Sequence, residues 1–198
     1  MSTRRVCCVL ATLIMITPGV VILAGYGADV IGWWVGQEYV SDSLPVLHIF
    51  LGVVLLAVFD STAARILLGT GKVRFDAKVS LGIAALNLIL SLVLVRKYGI
   101  VGVALGTLVP ATLGNFFISV PYTCRLTGTR VAPFYAKVFL PVLGIAAASF
   151  AVMALTGKLL DSRILSFIVD SLFVTAMSGV VFIKIVRDAM RGSSALEV

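Results

Sequence analysis

The sequence predicts an all-α, polytopic membrane helix bundle of about six transmembrane helices, and three observations predict it. The 198 residues are 60% hydrophobic and only 13% charged, with a mean hydropathy of +1.13. A soluble domain is roughly half apolar and a quarter charged, so this chain has more apolar surface than a core of its length can bury. The apolar residues fall in six continuous runs separated by short polar loops. Lys and Arg, finally, are distributed unevenly between the two sets of loops that those runs create.

A hydrocarbon core about 30 Å thick needs roughly 17 to 25 apolar residues in a helix. Residues 6–24 and 79–95 are free of charge, as are residues 98–124. Residues 138–157 lie between Lys137 and Lys158, residues 44–68 contain Asp60 and Arg65, and residues 164–183 contain Asp170. In lipid only helices or a closed barrel satisfy every backbone group. The runs are continuous rather than alternating, so helices are expected. The loop between the third and fourth spans is only Arg96-Lys97-Tyr98-Gly99, which makes those two an antiparallel hairpin. The first span is expected to be retained, because its apolar stretch exceeds a signal-peptide core and no small-x-small cleavage site follows Ala24. Arg4-Arg5 lacks the Phe-Leu-Lys that would follow in a twin-arginine signal. The whole chain reads as a single transmembrane bundle.

Loop charge sets the expected orientation. With the N-terminus in the cytoplasm, twelve of the 16 basic residues fall on that side: Arg4, Arg5, Arg65, Lys72, Arg74, Lys78, Arg125, Arg130, Lys137, Lys184, Arg187 and Arg191. Arg96, Lys97, Lys158 and Arg163 remain outside. The external loop 25–43 carries Asp29, Glu38 and Asp42 but no Lys or Arg, and its Trp33, Trp34 and Tyr39 suit the headgroup belt. Both termini are therefore expected in the cytoplasm, with the chain in the cell membrane.

The net charge of +7 would suggest nucleic-acid binding in a soluble protein. Here the cations sit in loops between apolar runs without interleaved aromatics, so no nucleic-acid partner is expected. Cys7, Cys8 and Cys124 have neither zinc nor Cys-x-x-Cys spacing and read as reduced structural thiols. His48, the one histidine, forms no metal site or catalytic dyad alone. No Gly-x-Ser-x-Gly, P-loop or His-Glu-x-x-His occurs. No enzyme activity, metal or cofactor is expected.

Within the spans, Gly102, Gly106, Pro110 and Gly114 recur every fourth residue. At helical spacing they form one smooth stripe that admits a close neighbour. That stripe serves either tight packing or a helix that changes shape during transport. Pro110 should distort its helix, since it lacks an N–H and crowds the preceding turn; Pro18 and Pro141 have the same potential. Asp60 lies near the middle of the second span, where a lipid-facing carboxylate would cost at least a few kcal/mol. It should line a cavity, where it can carry a proton, or bond to another helix. Arg65, five residues on, is about 140° around the helix and long enough to snorkel to the interface. Asn87 reads as an interhelical hydrogen bond or a ligand. Asp170 is a weaker cavity candidate, about 10 Å from the outer end of its span.

The order of several short motifs carries a resemblance. Leu67-Leu68-Gly69-Thr70-Gly71-Lys72 is followed by a span with Ala85-Leu86-Asn87-Leu88-Ile89-Leu90, and then by Tyr98-Gly99-Ile100-Val101-Gly102-Val103-Ala104-Leu105-Gly106-Thr107. This order resembles the C-terminal part of polysaccharide and lipid-linked oligosaccharide flippases, in the multidrug/oligosaccharidyl-lipid/polysaccharide exporter superfamily. Trp34-Val35-Gly36-Gln37-Glu38-Tyr39 resembles the Gly-x-x-Tyr external loop seen there, and the likeness covers roughly residues 5–155. It implies membrane lipid as the setting and a lipid-linked glycan, often on undecaprenyl diphosphate, as the substrate flipped outward by alternating access. Such transporters have two six-helix lobes, often with two added C-terminal helices, and the six spans here would be the last six of fourteen. The resemblance thus implies an N-terminal half, in the same chain or a second subunit, as a partner. A drug or cation antiporter of the same superfamily and a non-transporting scaffold are the alternatives.

Overall fold

The computed structural model describes residues 3–126, 128, 131–159 and 162–194. Arg130 lies outside them, as do the side chains of Arg4, Arg5, Cys7, Cys8, Lys137, Pro141, Lys158 and Arg191. Among the described residues the structure is helical and holds no strand. In chain order the helices are α1 (Thr3–Trp34), a short 3-10 turn (Gln37–Tyr39), α2 (Val40–Gly69), α3 (residues 73–98), α4 (residues 100–126), α5 (Val131–Leu159) and α6 (Arg163–Ser194). Four stretches are long and apolar enough to cross a membrane, among them the 54-residue run Val73–Leu126, and α5 adds the shorter apolar segment Val142–Thr156. The long run is broken at Gly99 into α3 and α4, which gives six long helices among the described residues.

Most helices are longer than their apolar runs. α1 and α6 have 32 residues each and rise about 48 Å, well beyond a core of about 30 Å. The expected external loop 25–43 is accordingly corrected. α1 continues through Trp34 and α2 begins at Val40, leaving a link of residues 35–39. Gly25, Gly27 and Gly32 look like helix breakers, but a residue without Cβ also permits close packing. A Cβ on Gly25 would collide with the Met153 side chain of α5, so this glycine holds a contact rather than a turn. Trp33, Trp34 and Tyr39 are all exposed beside the link.

The two tightest turns are built on glycines in the left-handed region. Gly71 (φ 73°) closes α2 with a pair of backbone bonds, Lys72 N–H to the Leu67 carbonyl (2.8 Å) and Gly71 N–H to the Leu68 carbonyl (3.1 Å). This is the two-bond glycine closure that satisfies the last carbonyls of a helix. α3 then starts at once. At the far end of α3 the expected four-residue loop contracts to Gly99 alone (φ 57°, ψ −137°), a conformation that costs a Cβ-bearing residue dearly.

The helices fall into two compact units, residues 1–27 with 132–198 and residues 28–131. The first contains most of α1 with α5 and α6; its buried positions include Leu13, Ile14, Thr17 and Val21 of α1, Ile145 and Ser149 of α5, and Ser166, Asp170, Val174 and Ser178 of α6. The α6 set recurs every fourth residue and is mostly small or polar. The second unit holds α2, α3 and α4. There the glycine–proline stripe of α4 is buried and lies on α3 in antiparallel register. A Cβ on Gly102 would strike the Leu94 carbonyl, one on Gly106 would strike Ser91, and one on Gly114 the Ile83 side chain. The paired numbers shift in opposite directions about Gly99, as a hairpin requires.

Pro110 distorts its helix through a change of pitch. Thr112–Ser119 is a π-helical stretch, closed by Val120 N–H on the Asn115 carbonyl, and it lies between Pro110 and Pro121, which cannot donate. A π-helical turn of this kind is a recognised local distortion of an α-helix, and here it sits between two residues that lack a backbone N–H.

Gly106→Ala should lower thermal stability in detergent by about 1–3 kcal/mol, because the new Cβ would lie 2.7 Å from Ser91 N and 2.8 Å from Ser91 Cα, both backbone. Gly82→Ala, with nothing within 4 Å, should be neutral or stabilising by about 0.5–1 kcal/mol. Unfolding midpoints of the two variants, compared in the same detergent, check the pair.

Candidate functional site

The second unit carries three of the four polar residues singled out in the sequence. Asp60 of α2 is half-buried and Arg65 is exposed, so they do not share an environment. Asn87 lies on the α4-facing side of α3, where its Oδ1 accepts a hydrogen bond from Ser91 Oγ at 2.9 Å. The bond runs along the helix rather than across to another one, and Ser91 is the residue on which Gly106 rests. Asn87 is thereby tied to the packing of the hairpin.

A fifth polar residue joins this unit from α4. Asn115 sits in the π-helical stretch, 8% exposed, and its side-chain Oδ1 accepts no hydrogen bond among the described residues. Gly52 of α2 packs on Leu108 of α4, and both helices lead away from the Gly36 and Gly99 end. Counting eight residues from Gly52 and seven from Leu108 places Asp60 and Asn115 at similar depth, about 10–12 Å further along. A buried acceptor without a donor costs about 1–3 kcal/mol, and π-helical turns frequently mark functional positions. The cue in the sequence was two prolines eleven residues apart around an amide.

The best-connected polar site lies in the first unit, around Asp170. Its carboxylate is fully buried, and all three helices reach it. Tyr26 of α1 donates its hydroxyl to Oδ2 at 2.5 Å. Thr156 Oγ1 of α5 lies 2.9 Å from Oδ1 and 2.8 Å from Oδ2, and 3.1 Å from the carbonyls of both Val152 and Met153. One hydroxyl proton serves one of these acceptors at a time. The Tyr26 ring also stands edge-on to Phe167 of α6 at 5.4 Å, which holds the phenol over the carboxylate. The site therefore meets the requirement that an intramembrane carboxylate be paired within the protein. Asp170 is a weaker candidate than Asp60 by sequence, and its partners Tyr26 and Thr156 are not legible there because they lie 144 and 14 residues away. No group of three metal-ligating side chains occurs among the described residues.

No protein family matches the chain, and no solved structure does. Over 98 residues the chain is 30% identical to a protein of Methanocaldococcus jannaschii described as an uncharacterized membrane protein. The match takes in 50% of this chain and 19% of that relative, so the chain spans about a fifth of the relative's length.

Two predictions follow from these geometries. Tyr26→Phe should destabilise the first unit by about 1.5–3 kcal/mol, the range for a hydrogen bond to a charged group. Combined with Asp170→Asn the losses should be non-additive by at least about 0.5 kcal/mol, which a double-mutant cycle of thermal unfolding measures. Asn115→Leu should leave stability unchanged or raise it by about 1 kcal/mol, since it removes the unsatisfied acceptor; a stability loss above about 1 kcal/mol would show that the amide has a donor.

With apolar helices of membrane-spanning length, many exposed large apolar side chains and a relative described as a membrane protein, this chain is a helical membrane protein.

Proposed function

We propose that the chain is the C-terminal portion of a flippase that exports lipid-linked polysaccharide or oligosaccharide precursors by alternating access. The observation that carries this reading is the ordered motif series from Leu67 to Thr107. Its glycines now have physical duties: Gly71 closes α2, Gly99 turns the hairpin, and Gly102 and Gly106 let α4 lie on α3. The much longer relative is in keeping with a chain that works beside further helices, supplied by an N-terminal half or a second subunit. The substrate would be a glycan on a lipid diphosphate such as undecaprenyl diphosphate. Both termini would lie in the cytoplasm at the cell membrane, following the twelve-to-four division of basic residues. Asp60, with Asn87 and Asn115 on the neighbouring helices, would face the transport path, and Arg65 would reach the interface.

The test is a deletion strain in which lipid-linked glycan is probed with an externally added glycosidase. Loss of the chain should leave the glycan shielded on the inner leaflet, and re-expression should restore access. If glycan access is unchanged while efflux of a cationic dye is lost, the protein is a drug or cation antiporter. If neither changes, it is a scaffold. In complementation, Asp60→Asn should abolish the dependence of export on external pH; export that keeps the wild-type pH profile would remove Asp60 from coupling.

A further inference from the structure

Among the described residues, one face of α3 is packed on α4 and the opposite face is exposed. Ile83, Ser91 and Leu94 meet the glycine stripe of α4. About 200° around the helix from Ile83 lies Leu81, on a face that runs Arg74, Lys78, Leu81, Ala85, Leu88, Leu92 at alternating steps of four and three. Every one of these six is exposed, and Leu81, Leu88 and Leu92 are each at least 60% so. The face is thus cationic for its first turn and apolar for the rest.

Further cations gather at its charged end. Lys72 begins α3 and is exposed. Phe75 of α3 stacks on Tyr122 of α4 with ring centroids 3.8 Å apart. That stack brings the last turn of α4 against the first turn of α3, and with it the exposed Arg125. Asp76 is the acidic residue of that first turn and is half-buried. The opposite end of α3 carries Arg96 and Lys97, with Lys97 Nζ over the Tyr98 ring at 5.5 Å, and so provides an internal comparison.

We infer that this face of α3 is a binding surface for an anionic phospholipid, with the headgroup phosphate on Lys72, Arg74, Lys78 and Arg125 and one acyl chain along Leu81, Ala85 and Leu88. The dimensions agree. From Lys78 to Leu88 the helix rises about 15 Å, half of a hydrocarbon core of about 30 Å and therefore the depth of one leaflet. The charge is complementary, since basic residues next to a membrane attract anionic headgroups. The surface serves this lipid whether or not the chain transports a glycan.

The test uses the full chain purified in detergent, with native mass spectrometry of adducts formed with dioleoyl phosphatidylglycerol, dioleoyl phosphatidylcholine or inorganic diphosphate. The wild type should retain phosphatidylglycerol in preference to phosphatidylcholine, and inorganic diphosphate should not displace it. Each cation near an anionic surface contributes roughly a fivefold change in association, so Arg74→Gln with Lys78→Gln should lower phosphatidylglycerol retention about thirtyfold. Arg74→Lys with Lys78→Arg should keep it. Leu81→Ser with Leu88→Ser should lower retention while leaving helicity by circular dichroism unchanged. Arg96→Gln with Lys97→Gln should leave it at the wild-type level. Equal retention of the two lipids would overturn the proposal. So would displacement by diphosphate alone, an Arg96/Lys97 loss as large as the Arg74/Lys78 one, or full retention by the Arg74/Lys78 or Leu81/Leu88 variant.

Discussion

The absence of water is the constraint from which this structure follows. Inside a bilayer every backbone N–H and carbonyl must find its partner in the protein, and a buried side-chain polar atom is costly without one. Thr17, Thr112, Thr123 and Ser149 therefore return their hydroxyls to carbonyls one turn back in their own helices. Asp170 cannot be satisfied that way, since a buried carboxylate needs donors. It draws a phenol from α1 and a hydroxyl from α5, so one buried carboxyl group ties three helices together. In the second unit polar groups are fewer at the contact, and association depends on close approach, which removal of Cβ atoms along α4 permits.

These two solutions have different consequences for specificity. A smooth glycine face tolerates small rotations of the helix across it, as long as backbones remain in contact. A carboxylate held by two hydroxyls does not, because 2.5–2.9 Å bonds define one rotational setting. Buried polar contacts that are fully satisfied specify an arrangement as well as stabilise it. The first unit thus has its geometry fixed by direction, and the second by shape.

Sequence patterning discloses the elements whose cause is local. Six apolar runs, the charge-free span around Gly106 and the glycine–proline stripe are all written at spacings of one to four residues, and the helices and the buried stripe match them. Helix ends were less legible. Residues 25–34 read as the start of an external loop, yet α1 runs on through Trp34, with Gly25 packed against Met153 of another helix. The polar site was the least legible. An isolated Asp in an apolar run looks the same whether it has partners or not, and Tyr26 and Thr156 were ordinary residues until folding brought them to Asp170. Asp60, the most prominent carboxylate by sequence, is half-buried, whereas Asp170 is sealed. Asn115 lies next to Gly114 of the stripe, and nothing in the local spacing announces the π-helical turn that holds it.

The turns at Gly71 and Gly99 bear on how the second unit can move. Each joins consecutive helices with almost no slack, so α2, α3 and α4 are linked end to end like the folds of a carpenter's rule. None of them can slide along its axis without dragging the next. Deformation is left to the interior of a helix, and the π-helical segment between Pro110 and Pro121 is the place where the backbone ladder is already re-spaced. Should α4 bend, it would bend there, swinging its Arg125 end while the Gly102 and Gly106 half stayed seated on α3.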